Sequence, residues 1–165
     1  MYLTIPWKQE YIFGKKPEGC VLCGIYRGDV ESHVIYRDDM CFIVLNKFPY
    51  NPGHLMIVPA RHVTEISELS DDETKLLANL TKKAVDVLKR EYNPVGFNIG
   101  MNVGEFSGAS ISHIHIHVVP RYRNEMGFMD VVAGTRILVE DLPVTYERLI
   151  KYRDEFETIR SSKTA

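Results

Sequence analysis

The stretch that most limits how this chain can fold is His113-Ile114-His115-Ile116-His117-Val118-Val119-Pro120. Polar and apolar residues alternate there with a period of two, the pattern of a strand with one wet and one dry face. Read as a strand over 112–119 closed by Pro120, it sends Ile114, Ile116 and Val118 to a core and three imidazoles to the opposite face. Successive imidazoles would stand roughly 6.5–7 Å apart, about the span of one phosphate group and its contacts. A single histidine can be a satisfied structural residue. Three on one face carry ring nitrogens that all need partners, which makes a purely structural role costly. Two chemistries remain. One is a metal site, since strand H-x-H pairs can supply a catalytic zinc with three His ligands. The other is a nucleophile site, since a neutral imidazole attacks phosphorus well near pH 7.

The rest of the chain places this strand in an α+β domain. Val34 to Arg37 and Cys41 to Leu45 read as short strands about the turn Asp38-Asp39. Asn51-Pro52-Gly53 is a turn signal, and His54 to Val58 follows as a strand ended by Pro59. Ser70-Asp71-Asp72-Glu73 has the form of a capping box, with the serine bonding the N3 amide and Glu73 reaching back. Leu76, Leu77, Leu80, Ala84, Val87 and Leu88 then recur at helical spacing until Asn93-Pro94 stops the run. Phe97 to Val103 is a strand, 105–110 a loop of small residues, and 145–158 a C-terminal helix. Strands flanking one long helix point to an antiparallel sheet. Residues 1–19, with Trp7, Tyr11 and Phe13, read as an irregular arm, and 20–160 as a single domain.

Composition narrows the partners. The 165 residues carry a net charge of -2, and the basic excess of a nucleic-acid-binding chain is missing. No apolar run reaches membrane-spanning length, and Met1 to Glu10 lacks a signal-peptide pattern, so the expected location is cytoplasmic. The cysteines are Cys20, Cys23 and Cys41, an odd number that argues against a disulfide scaffold. Cys20-Val21-Leu22-Cys23 instead has C-x-x-C spacing, which in a reducing compartment suggests metal binding or redox work. A thioredoxin-type motif would need a βαβ setting that this pattern lacks. Cys41, in an apolar strand, reads as a core residue.

His113 to Val119 resembles the H-x-H-x-H-φ-φ signature of the histidine-triad (HIT) family, φ being hydrophobic. Further segments extend the resemblance from about Cys20 to Arg121: Leu45-Asn46-Lys47-Phe48-Pro49, Pro52-Gly53-His54-Leu55-Met56-Ile57-Val58-Pro59, and Asn102-Val103-Gly104 with Gly108-Ala109-Ser110. The resemblance implies a HIT-like fold, an antiparallel sheet of about five strands with one long helix and a C-terminal helix. It implies nucleotidyl hydrolase or transferase chemistry, in which His115 attacks the α-phosphate of a purine nucleotide conjugate and carries the nucleotide as a covalent intermediate. His117 would donate to phosphate oxygens, and His54 would support His117. Asn46 falls where the family bonds the ribose, while Asn102 and Ser110 fall where it contacts phosphate or leaving group. Ala109 departs from the pattern, standing where the best-known branches carry a Gln that positions leaving group or water, and this implies hydrolysis slowed relative to transfer.

Certain family members bind zinc through a C-x-x-C pair, the His of a P-x-x-H segment and the first triad His. Here that set is Cys20, Cys23, His62 and His113, and it implies a closed structural zinc site. Arg121 or Arg123 would lie near distal phosphates, and the segment from Gly127 to Thr135 resembles members that cleave dinucleoside polyphosphates. The expected substrate is thus a diadenosine-polyphosphate-type nucleotide and the expected assembly a homodimer. Three alternatives stay open: an adenosine 5′-phosphoramidase, a zinc-dependent hydrolase with the triad as ligands, and a non-catalytic nucleotide-binding dimer.

Overall fold

A computed structural model describes residues 19–127, 132 and 140–161. The expected arm over 1–19 and the segment from Phe128 to Thr135 lie almost wholly outside them. The chain enters helix α1 (Val21–Arg27), then strands β1 (Val34–Arg37), β2 (Cys41–Leu45) and β3 (Leu55–Pro59). The long helix α2 (Asp71–Tyr92), strands β4 (Gly96–Gly100) and β5 (Ile116–Arg121), and helices α3 (Leu142–Ile150) and α4 (Arg153–Ser161) complete the order. The five strands form one antiparallel sheet in the order β1-β2-β3-β5-β4, so the α+β reading holds.

Strands β2 and β3 are buried at every position, because both faces of the sheet are covered there. One face, with Ile43, Leu45, Ile57, Ile116 and Val118, packs on Leu76, Leu77, Leu80, Val87 and Leu88 of α2, and on Leu149 and Phe156. Burying one such leucine contributes roughly 2 kcal/mol, so the apolar stripe of α2 is the main clamp on that face. On the other face Phe42, Val44, Met56 and Val58 pack under Leu22 and Ile25 of α1. The capping box forms as expected, with Glu73 N–H donating to Ser70 Oγ at 3.2 Å and Ser70 N–H donating to Glu73 Oε2 at 2.8 Å. Asn93 ends α2 in the left-handed conformation.

Three expectations need correction. The strand read from Phe97 to Val103 ends at Gly100, the last β4 residue paired with β5. The C-terminal helix is two helices, α3 and α4, broken at Lys151 and Tyr152. Glu91 on α2 holds both residues of the break, Lys151 Nζ at 2.7 Å and the Tyr152 hydroxyl at 3.0 Å, so the chain turns there while Leu149 and Phe156 stay buried. The triad strand also starts later than its alternation suggests. β5 begins at Ile116, where β3 first pairs with it through Ile57, and it runs through Pro120 to Arg121. His113 to His115 therefore precede the strand, and their backbone finds partners outside the sheet.

The turn between β2 and β3 is compact. Asn46 N–H donates to His54 O and His54 N–H donates to Asn51 O, both at 3.1 Å. Gly53 sits there at φ +80, and a Cβ on it would meet Leu88 Cδ2 at 2.9 Å, so the turn requires glycine and close packing on α2.

Candidate active site

Five of the six histidines sort into two connected groups, while His33 packs edge to face on Tyr146. The first begins at Tyr50, whose backbone N–H donates to His54 Nδ1 at 3.1 Å. An accepting Nδ1 in a neutral ring leaves the proton on Nε2. That nitrogen lies 3.0 Å from His117 Nδ1, so His54 donates to His117. His117 Nδ1 is then an acceptor, and its own proton sits on Nε2. The Tyr50 ring stacks on His54, centroids 5.1 Å apart and planes within 15°, and so fixes the imidazole plane as well.

His115 has the opposite tautomer. Its Nδ1 lies 2.7 Å from the carbonyl oxygen of His113, and a carbonyl only accepts, so Nδ1 carries the proton and Nε2 bears the lone pair. The rings of His115 and His117 are edge to face with centroids 4.6 Å apart. One thus offers a lone pair and its neighbour an N–H donor. Burial keeps both neutral: desolvation lowers His115 below the usual imidazole value, and desolvation, with the neighbouring His115, pushes His117 down to about 4. His54, 1% exposed, is pushed down to about 3 by desolvation first and by His117 and His115 after it.

The second group contains His113, which does not share the phosphate-facing side with its triad neighbours as the alternation predicts. Because it precedes the ladder, its ring turns toward α1. Its Nε2 donates to the Pro59 carbonyl at 3.1 Å, which leaves the Nδ1 lone pair facing Cys20 Sγ at 3.4 Å and Cys23 Sγ at 3.5 Å. His62 Nδ1 lies 3.3 Å from Cys23 Sγ. One donor atom from each of Cys20, Cys23, His62 and His113 falls within 4.8 Å of all the others. Zinc bonds of about 2.3 Å to sulfur and about 2.0–2.1 Å to nitrogen at tetrahedral angles put S and N about 3.6 Å apart. The observed separations fit that value, so this donor set suits a closed tetrahedral zinc. A second partner on the far ring nitrogen, here Pro59 O, is the usual arrangement for a metal-bound histidine. Zinc bound here would cross-link α1, the 59–62 loop and the residues before β5. The loop itself is tied to α2, since Arg61 pairs with the buried Glu73 at 2.8 Å and also donates to the Glu68 carbonyl at 2.7 Å.

Beside His117 lies a cavity of about 460 Å³, lined by Tyr50, Asn51, Asn98, Asn102 and Arg121 among others. Of the residues read from sequence, Asn102, His117 and Arg121 reach this cavity. Asn46 is half-buried at the end of β2, where its Oδ1 accepts the Phe48 N–H at 2.9 Å and its Nδ2 approaches His54 Nε2 at 3.5 Å. Ser110 is exposed on the loop before the triad and is brought near it by chain connection alone. Arg121 is engaged by Glu125 and Asn98, with Glu125 held down to about 2 chiefly by that guanidinium. Burial, the largest cause, pushes the Cys41 thiol up to about 12, as suits a core cysteine. Tyr50, Asn51 and Pro59 were not legible as site residues. Pro59 acts through its carbonyl and Tyr50 through its amide as well as its ring, and no side-chain motif encodes the main-chain contacts, while Asn51 reads as a turn residue although its side chain donates to Pro120 O and Glu125.

Comparison with known proteins identifies the family and the fold. A family model described as HIT domain matches residues 27–124. The AP-4-A phosphorylase of Mycobacterium tuberculosis is 42% identical over 111 residues, 67% of this chain and 57% of that protein. The chain therefore spans somewhat over half the length of that relative. An uncharacterized HIT-like protein of Methanocaldococcus jannaschii is 35% identical over 106 residues, 64% of this chain and 81% of that protein. Among solved structures, a Zn-bound histidine triad family protein from Mycobacterium smegmatis superposes with a TM-score of 0.68 at 24% identity, covering 88% of this chain and 98% of that one. A HIT family member from Bacillus subtilis superposes with a TM-score of 0.61 at 27% identity, covering 90% and 99%.

Proposed function

This chain belongs to the HIT domain family, and from that premise we propose that it transfers the nucleotidyl group of a dinucleoside polyphosphate to His115 and from there to a small acceptor. The observation that carries the reading is the pair of opposed tautomers: lone pair on His115 Nε2, proton on His117 Nε2. In the first step Nε2 of His115 attacks the α-phosphorus. A P–N bond forms, the P–O bond to the remaining polyphosphate breaks, and that nucleotide leaves with the electron pair. The imidazole becomes cationic on bonding, and its proton stays on Nδ1, donated to the His113 carbonyl. The His117 N–H meets the charge that builds on the phosphoryl oxygens, an oxyanion-hole role. In the second step an acceptor oxygen attacks phosphorus, the P–N bond breaks, and its electron pair returns to His115. Asn102 on the cavity wall would contact phosphate, with Ser110 and Asn46 serving leaving group and ribose.

The acceptor is inorganic phosphate on this reading. Ala109 removes the side chain that would position water, and the AP-4-A phosphorylase is 42% identical over the shared region. Zinc held by Cys20, Cys23, His62 and His113 would be structural, since its four protein ligands leave no open position for substrate. The test incubates wild type and His115→Ala with diadenosine tetraphosphate, with and without inorganic phosphate, and separates the products. Phosphate-dependent release of ADP and ATP by wild type alone is the expected result. Equal activity of His115→Ala would overturn the mechanism, and turnover of adenosine 5′-phosphoramidate in preference would move the substrate to the phosphoramidate class.

A further inference from the structure

We infer that the Cys20, Cys23, His62, His113 set is a positioning device for His115, so that zinc occupancy fixes the tautomer of the nucleophile. The inference rests on the reading of His115 as nucleophile and concerns what holds it in place. His115 stands outside the sheet ladder, which begins at Ile116. Its ring is oriented by the bond from Nδ1–H to the carbonyl oxygen of His113 and by edge-to-face packing on His117. That carbonyl belongs to a residue whose own ring is aimed at the cysteines.

The peptide around His113 is anchored to the segment 59–63. His113 Nε2 donates to Pro59 O, and Ile114 N–H donates to Val63 O at 2.7 Å. Pro59 and Val63 flank His62, so the loop that supplies one ligand also supplies both backbone partners of the segment that supplies another. A metal joining His62 to His113 closes this clamp. It thereby sets the direction of the His113 carbonyl, and with it the ring nitrogen of His115 that keeps the proton. Without the metal, thiols and imidazoles at 3.3–3.5 Å make only weak contacts, and the His113 peptide gains freedom to tilt. His54 and His117 take their tautomers from Tyr50, on the other strand connection, and are independent of the clamp.

The test uses the full chain with ¹⁵N-labelled histidine. Long-range ¹H–¹⁵N correlation spectra report which nitrogen of each ring carries the proton, and His115→Gln identifies the His115 signals. Spectra are taken with zinc, after chelation, and after adding Zn²⁺ alone. The expected result is a single Nδ1–H form of His115 with metal. After chelation it becomes a mixture, amide exchange at Ile114 and His115 is at least about tenfold faster, and Zn²⁺ reverses both. His54 and His117 keep their forms throughout. Activity on diadenosine tetraphosphate should fall about tenfold or more in kcat, with nucleotide affinity unchanged. A folded, metal-free protein that keeps the Nδ1–H form and the same exchange rates overturns the inference. Should chelation unfold the chain, His62→Gln gives the same two outcomes, because His62 is exposed and its loop keeps the Arg61–Glu73 anchor. The readout does not depend on turnover. An inactive His115→Ala with metal-independent tautomers would leave the nucleophile standing and sink only the coupling.

Discussion

The two histidine groups are built from the same residue type a few residues apart, yet they differ in what fixes each ring. Around His115 and His117 the backbone decides the tautomers, through the His113 carbonyl and the Tyr50 amide, and the chemically useful nitrogens face outward. Around His113 the backbone takes the outer nitrogen through Pro59 O and turns the lone pair inward to two sulfurs. A histidine's function is thus set by which nitrogen the main chain occupies, and alternation along a strand does not report it. The difference also separates the energetic roles. The first group keeps desolvated imidazoles neutral, at some cost in acid stability; the second suits a metal whose binding would add to folding free energy.

The largest effect should come from removing the outward lone pair. His115→Ala should lose at least about a thousandfold in kcat/KM on diadenosine tetraphosphate while metal analysis still finds one zinc per chain. Loss of zinc in this variant would erase the distinction between the groups. Cys20→Ser with Cys23→Ser attacks the other group. Zinc content should fall to zero and the chain should lose several kcal/mol, a drop of roughly 10 °C in Tm; an unchanged melting curve would remove the staple role. His54→Gln touches the first group indirectly, by freeing His117 Nδ1. It should lower kcat about tenfold to a hundredfold with KM little changed, whereas a rise in KM alone would make His54 a binding residue.

The smallest effect is the acid response of His54. Its folded value is about 3 against 6.5 in the unfolded chain. On acidification the unfolded state takes up the proton first. The stability tied to the neutral ring is therefore full above about pH 6.5 and lost progressively as pH falls toward 3. Denaturant titrations across that window should give a shallower loss for His54→Gln than for wild type. Parallel curves would show that the burial of His54 has no thermodynamic consequence.

Much of this was legible in the sequence. The period-two run located the strand that carries His117, and the capping box with Leu76, Leu80 and Val87 and the stop at Asn93-Pro94 bounded α2. The resemblance to zinc-binding family members, carried by the C-x-x-C pair and the Pro59-Ala60-Arg61-His62 segment, implied the set Cys20, Cys23, His62 and His113, which the structure brings together. The start of β5 was not legible, because alternation continues through His113 while hydrogen-bond partners from β3 do not. The break in the C-terminal helix was hidden for a similar reason: Glu91, far away in the chain, draws Lys151 and Tyr152 to itself. Tyr50 and Pro59 set ring tautomers through a main-chain amide and a main-chain carbonyl, which no side-chain pattern marks, and the stacking of Tyr50 on His54 exists only once the chain is folded.

The central claim is that Nε2 of His115 becomes covalently bonded to the nucleotide. Its most direct test mixes the enzyme briefly with diadenosine tetraphosphate without phosphate, quenches in alkali, where N-phosphoryl histidine survives, and maps adducts by peptide mass spectrometry. The account predicts one adenylyl group on the peptide containing His115, discharged on adding inorganic phosphate and absent from His115→Ala. Turnover with no adduct on that peptide, or an adduct that persists in His115→Ala, would contradict it.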